Sequence, residues 1–271
     1  AANIISGIDV VVYTAAIHPD NPEFAEARKQ AIPMLTRAEL LGQIMKNYHT
    51  AIGISGTHGK TTTTSMLSYI LIDADTDPTI SVGGILDSIG GNIRVGKSEY
   101  FVTEACEYTN SYHAFKPFIS IILNVDADHL DFFKDIDEIA ESFHVFATKT
   151  PKEGLVIVNG DMEYYDTVVR DLECRIVTFG KGTQNKYSAH NIRFDELGHP
   201  TYTLVVDGKE VTDITLRVFG EHNVYNSLSA IAAALELGIS IDVIKQGLSE
   251  CVGAERRFEY KGTILDNVRV M

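Results

Sequence analysis

The segment that most constrains the fold of this 271-residue chain is IGISGTHGKTTTTS, residues 52–65. It continues an apolar run at 50–55 that predicts a strand, and it opens a pattern that predicts a helix from Lys60 to about residue 72. Strand, glycine-bearing turn and helix, in that order, make a phosphate cradle. Glycines let backbone N–H groups close around phosphate oxygens. The helix N-terminus adds unsatisfied donors and partial positive charge. Lys60 supplies a full charge for β- and γ-phosphates, and the Thr61 hydroxyl is placed to ligate Mg²⁺. The spacing departs from the general G-x-x-x-x-G-K-[ST] pattern. Counting back from Lys60, the first glycine belongs at 54, where Ile54 stands, and Gly56 comes two residues later. The bland alternative, a Gly/Thr turn with an unconnected lysine, needs all five features to fall into register by coincidence.

Around this segment the chain alternates strands and helices, which predicts an α/β fold with a mainly parallel sheet. Strands are expected at 9–14, 50–55, 100–104, 118–125, 155–159 and 175–179. Helices are expected at 22–30, 37–46, 60–72, 136–149 and 163–172. From Lys186 the pattern changes to short strands at 187–194, 202–206 and 212–219. Asp207–Gly208 forms a hairpin turn there, so a small antiparallel flank is expected. Val224, Leu228, Ile231 and Leu235 then mark one helix face, closed by Gly238, and a last helix follows at about 242–251. Length alone suggests about two domains at ~150 residues each, and 47–49 is a plausible boundary.

Charge and cysteine content remove several classes of function. With 23 Lys+Arg against 37 Asp+Glu the net charge is −14, which argues against a general nucleic-acid binder. A local phosphate site is still permitted, because a few donors suffice. No run approaches the ~18 apolar residues of a membrane span. Three widely spaced cysteines, Cys106, Cys174 and Cys251, fit a reducing, cytoplasmic setting better than a disulfide frame.

Four further segments carry candidate chemistry. Glu104 ends a predicted strand, where an acid could reach a metal held by the loop, or could simply be solvated. Glu107 is a weaker alternative. Asp126, Asp128, His129 and Asp131 crowd the loop LNVDADHLDFF, again after a strand; they could hold a cation, or His129 could be a hydrogen-bonded structural residue. Asn223 and Asn226 share a face at a helix start and could read a purine edge or cap the helix. In GAERRFEY, Arg257 could stabilise a transferring phosphate, or form part of a surface arginine pair.

Taken in order, these motifs resemble the Mur ligase family. Its G-T-x-G-K-T loop, strand-end Glu, N-x-x-x-D-H-[LM]-D segment, H-N-x-x-N helix start and late R-x-E match Gly56–Thr61, Glu104, 124–131, 222–226 and 257–259. His58, AIHPDNPE, RAEL and RRFEY resemble the branch that adds L-alanine. The resemblance implies ATP-dependent amide synthesis, in which a carboxylate of UDP-N-acetylmuramate is phosphorylated and then attacked by L-alanine. By this resemblance Gly56, Thr57, His58, Gly59, Lys60, Thr61 and Thr62 cradle ATP, and Lys60 contacts its phosphates. Thr61 and Glu104 bind one Mg²⁺, and His129 binds a second. Asn223 and Asn226 hold adenine, and Arg257 meets the γ-phosphate.

The chain also departs from the family pattern. Many sister ligases carry a carbamylated lysine in the helix after D-H-L-D; here His144 stands near that place and Lys149 falls too late. Three domains are expected in the family. Residues 1–48 therefore read as the tail of a Rossmann-like, UDP-binding domain and 49–271 as the central ATPase domain. The glycine-rich start and the last domain would lie outside the chain, and the expectation is that it binds Mg-ATP weakly without forming the amide. A sister ligase with another amine, or a P-loop ATPase that is not a ligase, are the competing readings.

Overall fold

The computed structural model describes residues 1–14, 16–253, 262–264 and 268–270. The chain begins with β1 (Val11–Tyr13), α1 (Pro22–Lys29), β2 (Met34–Thr36) and α2 (Arg37–Met45). Local chemistry sets both helix starts. Asn21 accepts hydrogen bonds from the Glu23 and Phe24 amides, with Pro22 in the first turn. Thr36 and Glu39 form a reciprocal capping box that starts α2. β1 and β2 pair in parallel as a separate two-stranded sheet.

The main body follows as β3 (Thr50–Ser55), α3 (Lys60–Asp73), β4 (Thr79–Leu86), β5 (Gly91–Arg94), β6 (Tyr100–Glu104) and β7 (Ile119–Ile122). Next come α4 (Ile136–Ala147), β8 (Leu155–Asn159), α5 (Tyr165–Val169), β9 (Arg175–Gly180), β10 (Tyr187–Phe194), β11 (Pro200–Val206), β12 (Lys209–Thr215), α6 (His222–Glu236) and α7 (Ile241–Glu250). A short antiparallel pair, β13 (Gly262–Ile264) with β14 (Val268–Val270), lies furthest along the chain.

Ten strands form one sheet in the order β12-β11-β10-β9-β8-β7-β3-β6-β4-β5. From β10 to β4 all neighbours are parallel. Antiparallel pairs close both ends, β10–β11–β12 on one side and β4–β5 on the other. The flank at 187–215 matches the expected hairpin, and Asp207 and Gly208 both take positive φ at its turn. The β4–β5 hairpin has no counterpart in the sequence reading. Its segment, TISVGGILDSIGGNIR, breaks strand periodicity with glycines, and its pairing shifts register between Ser81 and Leu86.

Both sheet faces are covered, as parallel sheets require. Alternation along β8 shows it: Leu155 and Ile157 join one core, Val156 and Val158 the other. The first core packs against α3, α6 and α7 through Leu67, Ile70, Leu228, Ile231, Ile244 and Leu248. The second includes Tyr112, Phe143 and Phe146, with Met45 of α2 buried in it and Leu41 and Tyr48 packed against it. Residues 37–48 are thus fastened to the main sheet, although the expected boundary falls at 48. Among the described residues no helix is long and apolar enough to cross a membrane.

β3 is the centre of the design. Its neighbours are β6 and β7, so the chain leaves β3 and returns on either side of it. That reversal opens a crevice at the carboxyl ends of these strands, the usual ligand position in such sheets.

Candidate nucleotide and metal site

Three strand ends converge at this crevice: the loop after β3, Glu104 at the end of β6, and Asn124–Asp126 after β7. The loop is tied down by the third. The Thr57 amide donates to the Asn124 carbonyl at 3.2 Å, and the Asp126 amide donates to Thr57 Oγ1 at 2.9 Å. The His58 amide donates to Asn124 Oδ1 at 2.8 Å, while Asn124 Nδ2 returns a bond to the His58 carbonyl at 3.0 Å. Ile54, where the general pattern has glycine, is fully buried in the first core. β3 runs through to Ser55, so the turn starts two residues late and the loop is correspondingly short.

The two loop glycines are required by shape. Gly56 has φ +148°, and a Cβ there would lie 2.8 Å from Leu123 Cβ. Gly59 has φ +89°, and its Cβ would overlap the Asn226 amide. Gly59 caps α3 with no side-chain hydrogen bond, so the helix N-terminus keeps donors for an anion.

Lys60 leans back over its own loop. Its Nζ donates to the Gly56 carbonyl at 2.6 Å, the Thr57 carbonyl at 3.2 Å, and both Glu107 oxygens at 2.9 and 2.8 Å. The next residue points to Glu104: Thr61 Oγ1 donates to Glu104 Oε2 at 3.1 Å. Glu104 Oε1 is held by the Gly83 amide, on the β4–β5 hairpin. A hydroxyl beside a carboxylate suits Mg²⁺, which in phosphate sites takes one or two protein oxygens and completes its shell with phosphate and water. Among the described residues no three His, Cys, Asp or Glu side chains are grouped to hold a metal unaided.

His129 sits at φ +52°. Its Nε2 lies 3.7 Å from Glu107 Oε1 and 3.9 Å from Asp128 Oδ2, and its ring packs on Tyr108 with centroids 4.6 Å apart. Tyr108 in turn donates to Asp131 at 3.0 Å. Asp128 thus stands beside His129, Asp131 reaches it through Tyr108, and Glu107 lies near both His129 and the lysine.

On the other side of the loop, Asn223 and Asn226 stand in the first two turns of α6. Neither caps it: the N-cap residue is Glu221 and makes no side-chain cap. Asn226 Nδ2 donates to Asn223 Oδ1 at 2.9 Å, and Asn223 Nδ2 donates to the Phe219 carbonyl at 2.8 Å. Both border a cleft of about 520 Å³, whose walls include His58, Gly59, Thr62, Phe219 and His222. The His58 side chain is exposed at its edge.

Comparison with known proteins places the chain in a family. Residues 54–234 match the family model described as Mur ligase middle domain, and residues 1–49 match the model described as Mur ligase family, catalytic domain. The chain belongs to the Mur ligase family. Curated relatives named UDP-N-acetylmuramate--L-alanine ligase are 59% identical over 264 residues in Lachnospira eligens and 54% identical over 264 residues in Agathobacter rectalis. Each match takes in 97% of this chain but 58% of the relative, so the chain spans little more than half the length of these ligases. The solved UDP-N-acetylmuramate-alanine ligase of Thermotoga maritima superposes with a TM-score of 0.84 at 28% identity, covering 99% of this chain and 60% of that one. A UDP-N-acetylmuramate:L-alanyl-gamma-D-glutamyl-meso-diaminopimelate ligase from Neisseria meningitides superposes at 0.81 and 26% identity, over 92% and 80%.

Of two residues singled out against the family pattern, the structure describes one. His144 does not turn toward the metal-side groups; its Nδ1 faces the Val168 carbonyl on α5 at 3.3 Å. Its position on α4 points it to the neighbouring helix, so it is no stand-in for a carbamylated lysine. Arg257 lies outside the described residues. Sequence reasoning also missed a second cavity of about 420 Å³ beside Glu104, lined by Thr14, Thr36, Arg37, Tyr108, Asn110 and Ser111 among others. No local motif marks it, because its walls come from α2 and from the segment after β6. Cys106 lines it too. Desolvation and the adjacent Glu107 charge raise its thiol pKa, which keeps it protonated and poorly reactive.

Proposed function

We propose that the protein to which this chain belongs is an ATP-dependent ligase that joins L-alanine to UDP-N-acetylmuramate in peptidoglycan precursor synthesis, acting in the cytoplasm. The observation that carries the reading is the convergence of Lys60, Thr61 and Glu104 between two cavities. One cavity carries the Asn223–Asn226 pair suited to adenine. The other borders Glu104 and offers hydroxyl, amide and guanidinium groups to an acceptor. The names of the relatives supply the substrates.

In this reading Gly56–Thr62 surround the triphosphate and Lys60 neutralises its β- and γ-oxygens. Thr61 and Glu104 hold one Mg²⁺, and His129, with Asp128 beside it, holds a second. When bound, the ions neutralise charge between the phosphates and the acceptor carboxylate. The chain's own task is alignment: it holds two anions within reach so that the carboxylate oxygen attacks the γ-phosphorus, the bond from it to the β,γ-bridging oxygen breaks, and ADP departs. The acyl phosphate formed is a better electrophile than a carboxylate. The L-alanine amine then adds to it, and a tetrahedral intermediate expels phosphate. Arg257 is assigned to the transferring phosphate by its R-x-E motif. The domain reading stands with this proposal, residues 1–48 belonging to the UDP-binding part and 49–271 to the ATPase part.

Phosphate release by the full-length protein, supplied with Mg-ATP, UDP-N-acetylmuramate and one amine at a time, tests it. L-alanine should stimulate release and yield the amide. Stimulation by a tripeptide instead would move the protein to the branch of the Neisseria structure. Turnover with no carboxylate acceptor would make it a simple ATPase.

A further inference from the structure

The pairing of Lys60 with Glu107 is not explained by phosphate binding. Glu107 is a carboxylate with 2% of its side chain exposed, and among the described residues Lys60 is its closest cation, at 2.8 Å. Around Lys60 Nζ stand four oxygens at 3.2 Å or less, from Gly56, Thr57 and Glu107. An ammonium has three protons, so none is left for a phosphate.

A buried ion pair of this kind is costly to break by removing one partner, so a ligand that takes Lys60 from Glu107 must supply a competing anion. Phosphate oxygens arriving at the loop offer that exchange. The carboxylate left behind keeps a polar neighbour, since His129 Nε2 is 3.7 Å from its Oε1. Glu107 itself is fixed by its surroundings. The segment after it is pinned to α4, where Tyr112 and Ser142 hydroxyls meet at 2.8 Å and Ser142 also bonds Asn110. The lysine, on a four-carbon stem, is the partner that can move.

We propose that Glu107 is a positioning residue that anchors Lys60 over its own loop in the free protein, and that the β- and γ-phosphates must displace it. This rests on the phosphate-site reading above. It follows that Glu107 opposes nucleotide binding through Lys60, and only for nucleotides long enough to reach that lysine.

The test is calorimetric binding of Mg-ADP, Mg-ATP and AMP to the full-length wild-type protein and to Glu107→Gln, with a Lys60→Met background completing a double-mutant cycle. Glu107→Gln should tighten Mg-ADP and Mg-ATP by about tenfold or more, because a buried charge that competes for Lys60 is removed. AMP affinity should not change, and the gain should vanish when Lys60 is methionine. Unchanged or weaker Mg-ADP binding, equal changes for AMP and ADP, or a gain that survives in Lys60→Met would each overturn the anchor. Should Glu107→Gln fail to fold, Glu107→Asp, which retracts the carboxylate by one methylene, should give a smaller tightening of the same pattern, and none would overturn the proposal. Wild-type protein that binds neither Mg-ADP nor Mg-ATP would instead refute the phosphate site itself, and the anchor with it.

Discussion

Gly59→Ala is the substitution whose cost the structure defines most sharply. Two separate terms apply. The backbone sits at φ +89°, where an L-residue costs about 1–2 kcal/mol. The new methyl would also overlap the Asn226 amide. That amide cannot simply swing away, because Asn226 is bonded to Asn223 and Asn223 to the Phe219 carbonyl. Relieving such an overlap costs about 1–3 kcal/mol, for a total of about 2–5 kcal/mol. Gly238→Ala is the matched control: φ is +81° and nothing lies within 4 Å of its Cβ. It carries the backbone term alone, and the loss of unfolded-state entropy common to any Gly→Ala change cancels in the comparison. Thermal unfolding followed by circular dichroism should therefore place Gly59→Ala below Gly238→Ala by about 1–3 kcal/mol, or several degrees in Tm for a domain of this size. Mg-ADP affinity should fall only in Gly59→Ala. Equal melting temperatures, with nucleotide binding intact, would refute the claim that Gly59 is there to let α6 close on the loop.

Two further outcomes follow from other parts of the structure. Glu104→Gln should leave the fold intact, since the Gly83 amide can still donate to the amide oxygen while Thr61 Oγ1 accepts from the amide nitrogen, yet nucleotide binding should lose most of its dependence on Mg²⁺; a titration with Mg²⁺ at fixed ADP that matches wild type would remove Glu104 from the metal site. Glu236 predicts a pH dependence of stability. Burial pushes its carboxyl up, but Lys186, Arg175 and Tyr187, which donate to it at 2.8, 2.6 and 3.0 Å, outweigh burial and the net shift is downward. A depressed carboxyl contributes stability that is complete above its unfolded value near 4.5 and is lost as pH falls through the lower folded value. The Tm difference between wild type and Glu236→Gln should thus be largest near neutral pH and shrink below about pH 4.5; a difference independent of pH would show that the charge is not what stabilises.

How much was legible beforehand can be judged element by element. β3, β6, β8 and β10 were readable because each is an unbroken apolar or alternating run with turn residues at its ends. α3 was readable because the loop that precedes it has a shape only one arrangement satisfies. The β4–β5 hairpin was not, because glycines hide its periodicity and its register depends on a partner strand. This mattered for the site, since that hairpin supplies the amide that holds Glu104. Glu107 was visible as an acid near Glu104 but ranked below it. Its role depends on where Lys60 folds back, and no spacing rule encodes that. His144 was placed correctly on a helix, but its role was left open, because the face of α4 that meets α5 is set by packing.

The sequence by itself thus determined the phosphate loop, the α/β alternation and the family. These depend on local backbone needs: glycines where the chain must turn tightly, apolar runs where a strand is buried on both faces, a lysine and threonine at a helix start. Only the tertiary structure decided which groups face one another. The strand order puts β6 and β7 beside β3, and that adjacency brings Glu104, Glu107 and His129 to a loop tens of residues away. Contacts across a sheet depend on strand order and on how far each strand extends, and neither quantity is carried by any short stretch of residues.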